Sequence, residues 1–210
     1  MKFRIPGLLV TTIFCFSFTA TGADNDIRSL LVYGDSLSAS YGMTEEEGWV
    51  TLLEKKIQRE NWSYQVINGS VSGETSTGGL ERLPAMLDSY KPELVVLELG
   101  GNDGLRGLPL NLLKNNLRDM IELIRESGAK VLLAGIQIPP NYGPRYTAPF
   151  SQVFYQIAEE DKVKLIPFLI DGIPQNPELM QDDGIHPKPE AQSIIVENVW
   201  HYLLPMLEKY

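Results

Sequence analysis

His186 and His201 are the two histidines of this 210-residue chain. The first closes the stretch Asp183-Gly184-Ile185-His186-Pro187. A serine hydroxyl is a weak nucleophile until a neighbouring base takes its proton, and histidine is the usual base near neutral pH. Ser36 is the serine best placed for such chemistry. It follows Gly34-Asp35 directly at the end of the apolar run Leu31-Val32-Tyr33. A turn alone accounts for the glycine, but not for a serine set where a strand hands over to a helix. Asp183, three residues before His186, has the spacing to fold back onto the imidazole and fix its tautomer, the orienting role in a triad. A helix-capping turn ahead of Glu190 is the other reading of the same residues. His201 falls inside the last helical segment, where an exposed or packed imidazole is expected.

Acyl chemistry also needs donors for an oxyanion. Ser36 is expected at a helix start, where backbone N–H groups are unpaired and the dipole favours negative charge. Gly73 has no side chain, so its N–H can approach a substrate closely. Asn102, flanked by glycines in Gly100-Gly101-Asn102-Asp103-Gly104, has an amide donor that can project into the same crevice. Each cluster alone also reads as a strand-end turn, or as an Asx-turn at Asn102.

These residues follow strands. Five short runs rich in Val, Ile and Leu read as strands buried on both faces of a parallel sheet: 29–33, 64–68, 94–99, 130–136 and 163–168. Segments with helical spacing lie between and after them, at 49–59, 79–90, 112–127, 150–161 and 190–207. The alternation predicts one doubly wound, five-stranded parallel sheet in a three-layer α/β/α sandwich. In such sheets the functional crevice lies at the carboxyl ends of the strands. The serine, glycine, asparagine and histidine clusters all follow strand ends, so that edge is the expected site.

Composition narrows the partners. The formal net charge is -9, with no basic patch, which argues against binding nucleic acid through its phosphates. Lys2 and Arg4, an apolar run from Ile5 to about Ala20, and small residues from Thr19 to Ala23 have the layout of a secretory signal peptide. Residues 1–23 are therefore expected to be removed, with cleavage after Ala23 or Ala20, leaving a hydrolase domain over 24–210. An uncleaved anchor is the alternative. Cleavage takes the net charge from -9 to -11. It also removes Cys15, the sole cysteine, so the mature chain is expected to have no disulfide, cysteine-zinc site or thiol nucleophile.

Taken together, Gly34-Asp35-Ser36-Leu37, Gly73, Gly100-Gly101-Asn102-Asp103 and Asp183-Gly184-Ile185-His186-Pro187 resemble the SGNH/GDSL hydrolase family. The likeness runs over the whole mature chain in the family's order. The longer stretches 34–39, 98–107 and 180–187 are most similar to its bacterial periplasmic branch of multifunctional thioesterases, proteases, lysophospholipases and arylesterases. The resemblance implies a flavodoxin-like fold and a catalytic Ser36, Asp183 and His186. It also implies an oxyanion hole of Ser36, Gly73 and Asn102, with no metal or organic cofactor. The expected substrates are aryl and alkyl esters, acyl thioesters and lysophospholipids, acted on by a periplasmic or secreted monomer with no stable membrane insertion.

The acyl group is read from the loops. Leu105, Leu108 and Leu110 make an unusually apolar segment after Asn102, and Ile138, Pro139 and Tyr142 offer a second wall, with Ile185 beside the histidine. This suggests an acyl-chain groove. The leucines read equally as the lead-in to a helix packed on the core. Two other functions remain open at this point: carbohydrate deacetylation on the same fold, and a non-catalytic periplasmic binding protein.

Overall fold

The computed structural model describes residues 1–3 and 27–208. The signal-peptide reading, its cleavage after Ala20 or Ala23, and Cys15 lie outside them.

Five strands, β1 (Arg28–Gly34), β2 (Tyr64–Asn68), β3 (Leu94–Glu98), β4 (Lys130–Ala134) and β5 (Lys164–Ile166), form one parallel sheet in the order β2-β1-β3-β4-β5. Successive side chains of a strand point to opposite faces, and both faces here are apolar. Leu30, Val32, Leu94, Val96 and Leu132 pack against helices α1 (Trp49–Arg59) and α6 (Gln192–Leu203). Leu31, Tyr33, Val95, Leu97 and Leu133 pack against α2 (Ser76–Tyr90), α4 (Leu110–Glu126) and α5 (Pro144–Glu160). Each fully buried Leu or Val in these layers contributes about 1.5–3 kcal/mol. The expected three-layer α/β/α sandwich is the observed one.

A short helix that sequence spacing did not predict, α3 (Gly101–Leu105), follows β3. Its sequence, GNDGL, has poor intrinsic helix propensity, so tertiary contacts must hold it. Gly100 sets its entry with φ of +122°, and a Cβ there would meet Leu113 Cδ1 at 2.9 Å. Only glycine fits both demands. Several element ends shift by two or more residues, α2 beginning at Ser76, β4 ending at Ala134 and α6 spanning Gln192–Leu203, and two shifts have evident local reasons. The fifth strand stops at Ile166 because Pro167 has no N–H to give the ladder. Helix α5 starts at Pro144, six residues before the predicted start, because proline is well suited to the first turn.

Candidate active site

The strand order reverses direction between β1 and β3, the point where open parallel sheets bind ligands beyond the carboxyl ends of their strands. Asp35 and Ser36 leave the end of β1, while Gly101 and Asn102 leave the end of β3, so the two segments sit side by side. Ser36 does not begin a helix as expected. It lies in a run of turns in which Ser38 and Ala39 N–H donate to the Asp35 carbonyl and Tyr41 N–H donates to that of Ser36. Ser40, at φ of 56°, breaks the helical path, and α1 begins only at Trp49. The Ser36 N–H thus lies at the start of a run of turns rather than at the N-terminus of a helix.

Ser36 Oγ–H donates to His186 Nε2 at 2.8 Å, and His186 Nδ1–H donates to Asp183 Oδ2 at 2.6 Å. The second Asp183 oxygen accepts from Ile185 and His186 N–H at 2.9 and 3.0 Å. Burial, the largest single influence, pushes the Asp183 carboxyl up, but the His186 ring and these two N–H groups together outweigh it and hold the pKa below the usual range. The loop carrying both residues is tied down on two sides. Gln181 N–H donates to the His186 carbonyl at 2.8 Å, and Gln181 Nε2 donates to the carbonyls of Tyr41 and Pro187. The Tyr41 ring lies over the imidazole, with centroids 4.3 Å apart. Imidazole orientation is therefore fixed by a carboxylate, a loop clamp and an aromatic face.

The predicted oxyanion donors sit on the neighbouring segments. Asn102, in the first turn of α3, gives one Nδ2–H to Asp35 Oδ2 at 3.1 Å. Gly73 lies in the exposed loop after β2 at φ of +82°, and its carbonyl accepts from Arg106 Nη2 at 2.9 Å. The buried Asp103 joins the two segments: its carboxylate accepts from Ser76 N–H at 2.8 Å and from Ser76 Oγ–H at 2.6 Å. Helix α2, which begins three residues after Gly73, is thus clamped to α3, which holds Asn102.

A second pair of acids lies beneath Ser36. Glu98, at the end of β3, is fully buried; its Oε2 accepts from Asp35 N–H at 3.2 Å and from Ser38 Oγ–H at 2.7 Å. Asp35, 2% exposed, accepts from Leu37 N–H at 3.1 Å and from the Asn102 amide. Burial, only partly offset by those two hydrogen bonds, pushes the Asp35 pKa up to about 6. Burial, reinforced by the Asp35 charge, raises that of Glu98 well above the carboxylate range.

Beside Ser36 opens a cavity of about 270 Å³ with mainly apolar walls. Of the residues expected at an acyl groove, Leu105, Ile138, Pro139 and Ile185 line this cavity, and Phe168, Ile170, Pro174 and Met180 are among the other residues of its wall. Leu108, Leu110 and Tyr142 do not line it. Leu110 is the first residue of α4 and packs onto the sheet layer, so the helix lead-in reading holds there. Leu108 N–H donates to the Asp103 carbonyl in the turn that closes α3, directing the chain back toward α4. Tyr142 is 42% exposed and donates its hydroxyl to the Leu105 carbonyl at 3.1 Å, bracing the wall from outside. Among the described residues, no group of three or more His, Cys, Asp or Glu side chains is arranged to hold a metal ion.

Residues 32–194 match the model of the GDSL-like lipase/acylhydrolase family. The chain belongs to this family. It is 52% identical over 180 residues to the esterase TesA of Pseudomonas aeruginosa, covering 86% of this chain and 90% of that one. It is 39% identical over 206 residues to the thioesterase 1/protease 1/lysophospholipase L1 of Escherichia coli K12, covering 98% and 94%. The crystal structure of a psychrotrophic esterase EstA from Pseudoalteromonas sp., inhibited by monoethylphosphonate, superposes with a TM-score of 0.81 at 42% identity, covering 85% of this chain and 98% of that one. As a GDSL hydrolase the chain contains, besides the residues read from its sequence, a site-supporting set that sequence reading missed: Glu98, Asp35, Asp103, Ser76 and Tyr41. One signal pointed to it, a lone acid ending the otherwise apolar strand Leu94-Val95-Val96-Leu97-Glu98.

Proposed function

We propose that this GDSL hydrolase is an exported serine esterase that cleaves carboxylic esters and acyl thioesters, lysophospholipids among them, through an acyl-enzyme on Ser36. The observation that carries the reading is the unbroken relay from Asp183 through His186 to Ser36, at 2.6 and 2.8 Å, at the mouth of an apolar cavity. In this reading His186 Nε2 takes the Ser36 proton as Oγ attacks the acyl carbon. The Ser36 and Gly73 N–H groups and the Asn102 amide hold the resulting oxyanion. The imidazolium then protonates the leaving alkoxide or thiolate, and His186 next activates water against the acyl-enzyme. Asp183 stays ionised throughout, as its lowered pKa requires.

Leu105, Ile138, Ile170 and Met180 on the cavity wall support an acyl chain rather than an acetylated sugar as the bound group, because a sugar would leave its hydroxyls facing carbon. Residues 1–23 act as the export signal and 24–210 as the hydrolase domain, working as a monomer in the periplasm or outside the cell. No helix among the described residues is long and apolar enough to cross a membrane. Initial rates on p-nitrophenyl esters and acyl thioesters from two to sixteen carbons test the reading. Turnover of both classes, rising beyond the acetyl ester, is expected. Activity confined to acetylated sugars would overturn it.

A further inference from the structure

We propose that Glu98 and Asp35 act as one buried unit that carries a single proton, on Glu98, and that the charge left on Asp35 sets the Asn102 amide for the oxyanion. The inference rests on the reading of Asn102 as an oxyanion donor. Both side chains are positioning residues: Glu98 has no exposed surface, and Asp35, which borders the cavity at 2% exposure, acts through Asn102.

Four observations meet here. First, Glu98 has no exposed surface, and its Oε1 is buried without a hydrogen-bond partner among the described residues. An unpartnered oxygen is far less costly on a neutral acid than on a carboxylate. Second, Glu98 Oε2 receives the Asp35 N–H directly, so the two carboxyl groups belong to adjoining links of one chain of bonds. Two charges cannot both persist in such a dry pair, and burial raises both groups, Glu98 the more so. Third, the charge is best kept by Asp35. Both of its oxygens have a donor, Leu37 N–H on Oδ1 and the Asn102 amide on Oδ2, whereas the two donors to Glu98 share Oε2 and leave Oε1 bare. Fourth, the space is made for this pair. A Cβ on Gly34 would run into Glu98 Oε2, and one on Gly101 would sit 2.9 Å from Asp35 Oδ2.

The consequence is geometric. An amide held by an acceptor on one side must present its remaining N–H on the other. Asp35 offers acceptors on both oxygens, and both are used: Oδ1 by Leu37 N–H and Oδ2 by Asn102. An asparagine at 35 has one acceptor for two donors, so the Asn102 amide is met by an NH₂ and turns away. Glutamine at 98, by contrast, keeps the neutral state and one acceptor oxygen.

A double-mutant cycle on turnover decides the matter. Asn102→Ala alone is expected to lower kcat by about two to three powers of ten, the usual loss for one oxyanion donor. Asp35→Asn is expected to lower kcat by one to two powers of ten with KM within about threefold. In the double variant Asp35→Asn should add little to Asn102→Ala, because it acts through that side chain. Glu98→Gln is expected to stay within about threefold of wild type, while Glu98→Ala, which removes the acceptor, loses at least tenfold. Infrared spectra of the wild type at pH 8 should retain the carbonyl stretch of a buried carboxylic acid, and Glu98→Gln should lack it. That measurement stands even if Asp35→Asn does not fold. Additive losses in the cycle, or no carboxylic-acid band in the wild type, would overturn the inference while leaving the esterase reading intact. An Asn102→Ala variant with wild-type turnover would remove the oxyanion role, and the inference with it.

Discussion

A histidine can take a serine proton only if its own second nitrogen is held as a donor, and Asp183 is what holds it. The carboxylate uses both oxygens, one on the ring and one on two backbone N–H groups, so it fixes the ring and the loop at once. Replacing it by asparagine presents an NH₂ to Nδ1 and favours the wrong tautomer. Asp183→Asn is expected to lower kcat by about four powers of ten with little change in KM. Its pH dependence follows from the direction of the shift. The folded pKa is lowered, so the contribution of Asp183 to stability is fully present above the unfolded value of about 3.9 and is lost as pH falls through the lower folded value. Between about pH 6 and 9 the carboxylate does not titrate. The stability difference between wild type and Asp183→Asn should therefore be flat across that range and shrink only below about pH 4, which thermal unfolding at stepped pH checks. A difference that collapses near pH 6 would show that Asp183 gains its proton there.

At the scale of elements, the site is a set of strand ends brought level by a parallel register, and the loops between them divide the work. Leu105 ends α3 and lines the cavity, whereas Leu110 begins α4 and packs on the sheet layer. Leu105→Ser is expected to weaken long-chain ester hydrolysis by about 15- to 60-fold and to spare acetyl esters, as two or three methylenes at about 0.8 kcal/mol each lose their contact. Leu110→Ser should instead lower the melting temperature by several degrees and leave the chain-length profile unchanged. Rates across chain lengths beside thermal unfolding distinguish the two; the reverse pattern would move the acyl site toward α4.

The same elements show what was legible in the sequence. The strands were readable because both faces of the sheet are apolar, and the hydrogen-bonded chain from Asp183 through His186 to Ser36 because these residues stand in loops where few other roles compete. The far cavity wall was not readable. Phe168, Ile170 and Met180 are apolar residues in irregular chain after β5, and no periodicity tells a cavity wall from core packing there. Helix α3 was hidden because its glycines signal a turn, and the helix at Ser36 was expected because nothing local announces the left-handed Ser40 that interrupts it.

Over the whole molecule, stability and function are placed on different surfaces of one sheet. The two apolar faces hold helices, and the carboxyl edge gathers the polar groups that a core could not tolerate. Glu98, Asp35 and Asp103 are acids carried down into the dry layer: Asp35 and Asp103 adjoin Ser36 and Asn102 in the chain, and Glu98 accepts the Asp35 N–H. Burying an acid is costly, and these three are gathered beside the site, whereas the buried Arg28 lies at the opposite end of β1, paired with Glu93. The account's central claim is that Ser36 becomes acylated. Its most direct test treats the folded wild type and Ser36→Ala with an alkyl p-nitrophenyl phosphonate, then measures intact mass, the modified peptide and residual ester hydrolysis. The account predicts one adduct, on the peptide containing Ser36, with loss of activity in step with labelling. It also predicts no adduct and turnover lower by several powers of ten in a Ser36→Ala variant whose melting temperature is unchanged. An inactivating adduct on another residue, or a folded Ser36→Ala variant that still hydrolyses esters at a substantial fraction of the wild-type rate, would contradict it.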